Sequence, residues 1–191
     1  MTAPLDLARE PGMKMRGTNT RAQSIRQYAE RVGNEHDIYR AGRADVHALV
    51  KQLGGELRIA GDEGVRLAIA PEEECRFSVF LPRSTSFRAD RLTIARALGH
   101  LFLHYLVPES RGERGIKSFG WETATGMTAE ARLFGQALLV PPDAAGTLLF
   151  LSGNDTAYVA HHYGVDEFIV ARALGLNDRI LDMNPAGADS A

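Results

Sequence analysis

The strongest structural signal in this chain is an apolar stripe between Arg88 and Leu106. Apolar side chains recur there every three or four residues, which is the spacing of one helix face. Two histidines, His100 and His104, stand at the i, i+4 spacing that puts both on one side of a helix. The segment therefore predicts a long core helix that carries a polar site. The stripe consists of Leu92, Ala95, Leu98, Phe102 and Tyr105.

The fold class expected for the chain is α+β. A hydrophobic fraction of 45% and a charged fraction of 24% are typical of one globular core. Strand-like runs at Glu56–Ala60, Val65–Ala70 and Arg76–Leu81 predict a small antiparallel sheet, with a hairpin between the first two runs. A further helix is predicted from Thr128 to Val140, because two prolines follow it.

The chain is expected to divide into four parts. Residues 1–18 lack periodicity and are predicted to be disordered, and residues 182–191 are predicted to form a flexible tail. The main domain is expected over residues 19–142. Residues 143–181 are predicted to form a helical extension that resembles a helix-turn-helix, because two helical runs flank a glycine turn there.

Composition limits the environment and the partners. One cysteine cannot form an internal disulfide or a cysteine-built zinc site, and this favours a reducing, cytoplasmic setting. No apolar run is long enough to span a bilayer, and the first residues contain no apolar core of a signal peptide. A formal net charge of −2 gives no overall basic character, so general binding to nucleic acid is not expected.

The polar site on the long helix is an incomplete zinc-peptidase motif. Such a motif reads His-Glu-x-x-His on a helix, and its Glu acts as the general base. Here His100 stands at the second His position, whereas Arg96 and Ala97 stand at the positions of the first His and the Glu. A guanidinium has no acceptor atom for a metal, and a methyl group cannot activate water. The segment keeps the spacing of the site and loses its chemistry.

Glu130 is the candidate third member of this site. It lies on the first turn of the predicted Thr128–Val140 helix, from which it can point back at the long helix. A carboxylate without a metal is costly to bury unless another cation faces it. Arg96 has the fork geometry that suits a carboxylate, so we expect an Arg96–Glu130 ion pair between the helices. The alternative is that Arg96 points to solvent.

Two sequence blocks resemble a known family. Arg91–His104 resembles the Arg-Phe-Thr-Ile-Ala-His-Glu-Leu-Gly-His-Leu-Leu-Leu-His block of the ImmA/IrrE metallopeptidase family, and Glu130–Pro141 resembles its Glu-Ala-Asn-Arg-Phe-Ala-Ala-Glu-Leu-Leu-Met-Pro block. The resemblance extends from Ala44 to Leu176 and implies a zincin-like domain. It also implies zinc ligands at positions 96, 100 and 130 and a general base at position 97. Members are typically zinc peptidases that cut or control helix-turn-helix repressors in phage-like elements and stress responses.

The hypothesis that follows is a non-catalytic regulatory protein without a cofactor. It would bind a protein partner in the old substrate cleft, and the resemblance suggests a helix-turn-helix transcription factor. Phe77, on a strand expected to form a sheet edge, is a candidate contact. Asp166 and Glu167 are further candidates, because acidic side chains favour the basic surface of a DNA-binding partner.

Two alternatives stay open at this point. His100, His104 and Glu130 could form an altered zinc site, which would make the chain an active metallopeptidase that cleaves a repressor. Direct DNA binding would use a basic helix between Thr20 and Arg43. Metal content separates the first alternative from the main hypothesis, and a salt-dependent shift assay tests the second. The candidate DNA contacts are Arg21, Arg26 and Arg31.

Overall fold

A computed structural model of the chain describes residues 17–60, 64–83, 86–120 and 124–176. The predicted disordered start lies outside these residues except for Gly17 and Thr18, which begin the first helix, and the predicted tail lies wholly outside them. The architecture is mixed α+β, as predicted. The elements are α1 (Gly17–Glu35), β1 (Tyr39–Arg40), β2 (Arg43–Ala44), α2 (Val46–Gln52), β3 (Gly55–Ile59), β4 (Val65–Ile69), β5 (Phe77–Leu81), α3 (Phe87–His100), a π-helical segment (Leu101–Leu106), α4 (Val107–Ser110), β6 (Ser118–Gly120), α5 (Thr125–Leu139), α6 (Pro142–Leu151), α7 (Thr156–Tyr163) and α8 (Glu167–Ala173).

The main sheet has four strands in the order β3-β5-β4-β6. β5 is parallel to β3, whereas β4 is antiparallel to both β5 and β6. The predicted hairpin between β3 and β4 is therefore wrong, and this sheet is mixed rather than antiparallel. The apolar β5 lies between β3 and β4, because a central strand buries the most side-chain surface. Both Phe77 and Val79 of β5 are buried.

The position of β5 also corrects the expected sheet edge. Phe77 aligns with Gly55 of β3 on one side and with Ile69 of β4 on the other, so β5 is hydrogen-bonded along both flanks. Its side chain is 3% exposed. The prediction that Arg76–Leu81 offers a free edge is wrong, and Phe77 does not lie on a surface that a partner can reach.

The helices α3 and α5 touch through their backbones. A Cβ atom on Gly99 would lie 2.5 Å from the carbonyl oxygen of Ala131, and one on Gly135 would lie 2.8 Å from the carbonyl carbon of Ala95. Glycine at both positions removes the side chains that would otherwise separate the helices. This close approach brings the polar residues of α3 and its extension near those at the start of α5.

The helix α3 runs on into the π-helical segment and then into α4. Its start is capped by Ser86, whose hydroxyl accepts a hydrogen bond from the backbone N–H of Ala89 at 3.3 Å. The described helix agrees with the predicted Arg88–Leu106 helix, although its last turns are wider than α-helical turns. π-helical turns are rare and often coincide with functional sites. His104 lies within this segment.

The pair α7–α8 packs on the main body through a buried arginine. Gly164 joins the two helices with φ = 65°. Arg91 of α3 is 3% exposed and donates to the carbonyl oxygens of Tyr163 and Gly164 at 3.1 and 3.0 Å. It also donates to the carbonyl oxygen of Ala44 at 3.3 Å. Arg91 therefore links the turn of the C-terminal pair to α3 and β2.

No single helix among the described residues has both the length and the apolar character needed to cross a bilayer. The bent pair α5–α6, with 56° between its helices, meets that criterion only when the two are taken together.

Candidate functional site

A chain of polar contacts links α3, the π-helical segment, α5 and α1. The Nδ1 atoms of His100 and His104 lie 3.2 Å apart, and the Nε2 atom of His104 lies 3.3 Å from Oε2 of Glu130. The other carboxylate oxygen of Glu130 accepts from Nε of Arg21 at 2.7 Å. The predicted proximity of His100 to Glu130 is thus mediated by His104. The contact with Arg21 had no counterpart in the sequence reasoning.

One assignment of protons satisfies this chain of contacts. An ionised carboxylate only accepts, so Nε2 of His104 carries a proton and donates to Glu130. Nδ1 of His104 then accepts from the protonated Nδ1 of His100. Burial, with smaller contributions from His104 and Arg96, lowers the pKa of His100 from 6.5 to about 3. Burial also lowers the pKa of His104, against the opposing effect of Glu130. Both rings are therefore neutral at pH 7.

The predicted Arg96–Glu130 ion pair is wrong. Among the described residues, the two oxygens of Glu130 contact Arg21 and His104, and neither contacts Arg96. The physical reason is that α1 packs along α5 and delivers the Arg21 guanidinium to the carboxylate. Arg96 is half-buried, and burial lowers its pKa, with the positive charges of Arg132 and Arg66 adding to the effect.

A small cavity of about 70 Å³ lies beside His100. Ala97 forms part of its wall, so a longer side chain at that position would extend into this space. The ring of Phe119 stacks on His100 with 4.4 Å between centroids and shields one face of the imidazole. The cavity is lined by Arg66, Leu67, Pro82, Thr93, Arg96, Ala97, His100, Phe119 and Gly120.

The side chains at this site do not fit a zinc ion. Zinc needs its ligand atoms to converge on one point in tetrahedral geometry. Here His100 faces Nδ1 of His104 whereas Glu130 approaches Nε2 of the same ring, so the three candidate donors point to different places. Within the described ranges, no group of three His, Cys, Asp or Glu side chains is arranged to hold a metal. Absence of bound metal in the purified protein stays a prediction.

The comparison with protein families identifies the domain that carries this site. The model of the IrrE N-terminal-like domain matches residues 60–175, which is more than half of the chain. The chain belongs to this family. The ImmA/IrrE resemblance of the two sequence blocks is thereby confirmed, and so is the zincin-type domain. No curated protein matches this family member.

The other predicted site residues of this IrrE-like chain lie at its surface. Asp166 precedes α8, and its Oδ1 lies 3.5 Å from Nη1 of Arg88. Glu167 accepts a hydrogen bond from the hydroxyl of Thr156 at 2.9 Å. Both acidic side chains are exposed, as the partner hypothesis requires. Their role as partner contacts stays a prediction.

The candidate DNA contacts on α1 differ in their surroundings. Arg21 pairs with Glu130, and Nη2 of Arg26 donates to the carbonyl oxygen of Arg172 at 3.1 Å. Arg31 is exposed. Two of the three guanidinium groups therefore hold α1 against the rest of the domain. Direct DNA binding stays a prediction as well.

A second hollow of about 340 Å³, missed by the sequence reasoning, shares Thr93 and Arg96 with the small cavity. Three helices line it, and each contributes a pair of residues at the i, i+4 spacing, to which α3 adds Thr93. We call it the arginine groove. The sequence contained one sign of this groove, because each of the three helices has an arginine on the face that lines it. The packing that brings the three faces together joins residues far apart in sequence, so local patterns do not reveal it. Its pairs are Leu92 and Arg96 of α3, Arg132 and Gln136 of α5, and Phe168 and Arg172 of α8.

Proposed function

We propose that this protein is a non-catalytic member of the ImmA/IrrE family that regulates a protein partner by binding it. The observation that carries the proposal is the state of the family's active site. Arg96 and Ala97 replace a ligand and the base, and Glu130 is held by Arg21 and His104. A base-free site with diverging donors lacks both the activated water and the metal geometry that hydrolysis requires.

The partner we propose is a helix-turn-helix transcription factor of a phage-like element or a stress response. Family membership supports this class, because typical members act on such repressors. The surface around α7 and the start of α8 supports it independently. Its acidic side chains suit a basic DNA-binding protein, and its exposed apolar side chains can supply the centre of an interface. This partner surface consists of Phe150, Leu151, Tyr158, Asp166 and Glu167.

The acidic residues of this surface adjoin α7. The hydrogen bond from Thr156 to Glu167 brings the acidic end of α8 against the first turn of α7. Tyr158 lies in that same turn and is 53% exposed. Phe150 and Leu151 are the last two residues of α6 and are 77% and 74% exposed. A partner contact would cover these side chains.

The first experiment separates a regulator from a peptidase. The protein is purified without chelator and analysed for zinc, and it is incubated with a candidate helix-turn-helix repressor from the same organism. We expect no stoichiometric zinc and an intact repressor by mass spectrometry. One zinc per chain that disappears in His100→Ala, together with zinc-dependent cleavage, would replace this proposal with the altered metallopeptidase.

The second experiment tests the partner surface. Binding of the same repressor is titrated with the wild type and with the double variant Asp166→Lys/Glu167→Lys. The matched control is Glu73→Lys/Glu74→Lys, which makes the same charge change at two exposed residues of the β4–β5 connection. We expect loss of binding in the first variant and none in the control. Equal binding in all three proteins would refute this surface, and binding of DNA alone with a steep salt dependence would favour the DNA-binding alternative.

A further inference from the structure

The arginine groove concentrates positive charge without a compensating acid. Arg96, Arg132 and Arg172 all line it, and no carboxylate does among the described residues. Burial lowers the pKa of the half-buried Arg96, because its guanidinium has lost part of its hydration, and the positive charge of Arg132 lowers this pKa further. A bound anion would offset both the repulsion between the arginines and the lost hydration of Arg96.

The other residues that line the groove indicate which chemical groups the ligand has besides its negative charge. Gln136 lines the groove and is 2% exposed, and its amide group can both donate and accept. Leu92 and Phe168 add an apolar side, and the Phe168 ring is 52% exposed. A groove of about 340 Å³ is at the small end of the range for sites that bind small molecules. The walls therefore suit a compact ligand with a charged end and an apolar or planar end.

We propose that the arginine groove binds a small organic dianion, a phosphate monoester or a dicarboxylate, whose apolar or aromatic part lies against Phe168. Guanidinium forks match the paired oxygens of both anion types. A ligand with two negative charges neutralises the three arginines more fully than a ligand with one negative charge does. The groove shares no residue with the partner surface, although α8 contributes to both, and the proposal does not depend on the proposed function. Arg96 lines both the groove and the small cavity beside His100, so the groove adjoins the candidate site.

Binding is tested on the full chain by calorimetry, with a series of probes that separates the two anion types. Adenosine monophosphate and phthalate carry a dianion next to a ring, adenosine lacks the phosphate, and inorganic phosphate lacks the ring. We expect binding by adenosine monophosphate or phthalate that weakens as salt is added. We expect weaker binding of inorganic phosphate and none of adenosine. Failure of both dianions to bind, or equal binding of adenosine, overturns the proposal.

Variants locate the site. Arg132→Gln and Arg172→Gln change exposed residues, so both variants should fold, and each should weaken binding about tenfold or more because a charge-assisted hydrogen bond is lost. Phe168→Ala should weaken the ring-bearing probe and leave inorganic phosphate unchanged. The control Arg111→Gln removes an exposed arginine just after α4, outside the groove. Binding that is unchanged in both groove variants, or reduced as much in the control, overturns the assignment.

Discussion

Arg21 of α1 and Glu130 of α5 form an ion pair with 2.7 Å between Nε and Oε1. The pair joins a helix that precedes the family match to a helix that lies within it. Its two partners are not equally buried, since the Arg21 side chain is 70% exposed and that of Glu130 is 25% exposed. The carboxylate also accepts from His104, so removing one partner is not equivalent to removing the other.

We expect Glu130→Ala to destabilise the protein more than Arg21→Ala does. Loss of Arg21 removes an exposed ion pair, which contributes about 0–1 kcal/mol. Loss of Glu130 also leaves the buried Nε2–H of His104 without an acceptor, which costs about 1–3 kcal/mol. Chemical denaturation of the two variants measures the difference. Equal effects would show that the His104–Glu130 contact contributes nothing to stability.

Local sequence patterns were sufficient for much of this site. Periodicity located α3 and α5, and the motif spacing located His100, because one helix turn fixes which side chains share a face. Glu130 was chosen from its place near the start of the second predicted helix. Patterns could not show which arginine would reach Glu130. That depends on how α1 packs on α5, and Arg21 and Arg96 were equally available by charge.

Long-range order explains the remaining errors. Only β3, β4 and β5 were predicted, whereas β1, β2 and β6 were not. Strand order depends on which run is buried most, and β5 was placed at an edge although it lies between β3 and β4. β6 has only three residues, too few to show an alternating pattern, yet it supplies the Phe119 ring that stacks on His100. The arginine groove combines faces of three helices that are distant in sequence. None of these features has a local signature.

The buried histidines predict a loss of stability at mildly acidic pH. The folded-state pKa of His100 is about 3, below its ordinary value of 6.5, so the unfolded chain binds its proton first. Stability from this group is complete above pH 6.5 and is lost progressively as the pH falls towards 3. The positive charge of Arg96 also opposes protonation of His100. The pKa of His104 is lowered as well, although Glu130 acts to raise it.

The measurement is the melting temperature between pH 7.5 and about 5, a range in which few ordinary carboxylates titrate. We expect the wild type to lose stability across this range, and His100→Gln, which cannot titrate, to lose less. Titration of the His100 ring by NMR provides a direct check. A ring that titrates in the folded protein near pH 6.5 would contradict the burial of this site.

The backbone contact between α3 and α5 predicts that both of its glycines are intolerant of alanine. A Cβ at Gly99 or Gly135 would lie within 3 Å of the backbone of the other helix, which cannot move as a side chain can. We expect Gly99→Ala and Gly135→Ala each to cost about 1–3 kcal/mol through overpacking. The separated helices would also weaken the His104–Glu130 contact.

A third glycine provides the matched control for this substitution. Gly146 lies inside α6, and a Cβ there would meet nothing within 4 Å. We expect Gly146→Ala to stabilise the protein by about 0.5–1 kcal/mol, because alanine favours the helix and restricts the unfolded chain. Denaturation midpoints of the three variants give the comparison. If Gly99→Ala were as harmless as Gly146→Ala, α3 and α5 could not lie as close as described.

Arg91 is expected to anchor the C-terminal helix pair α7–α8. Its guanidinium donates to three backbone carbonyl oxygens, two of them at the end of α7, where a positive charge also stabilises the helix dipole. We expect Arg91→Ala to cost at least about 2 kcal/mol, because three buried acceptors lose a charged donor. Arg91→Lys should recover only part of this, since one ammonium cannot reach all the oxygens that the fork spans.

The control for Arg91 is Arg88, which lies one helix turn earlier on α3 and meets Asp166 only at the exposed surface. We expect Arg88→Ala to cost less than about 1 kcal/mol. Hydrogen exchange adds a local readout, because Arg91→Ala should speed exchange in α7 and α8 before it affects α5. Uniform acceleration in all helices, or equal losses of stability for the two arginines, would mean that Arg91 does not anchor the pair.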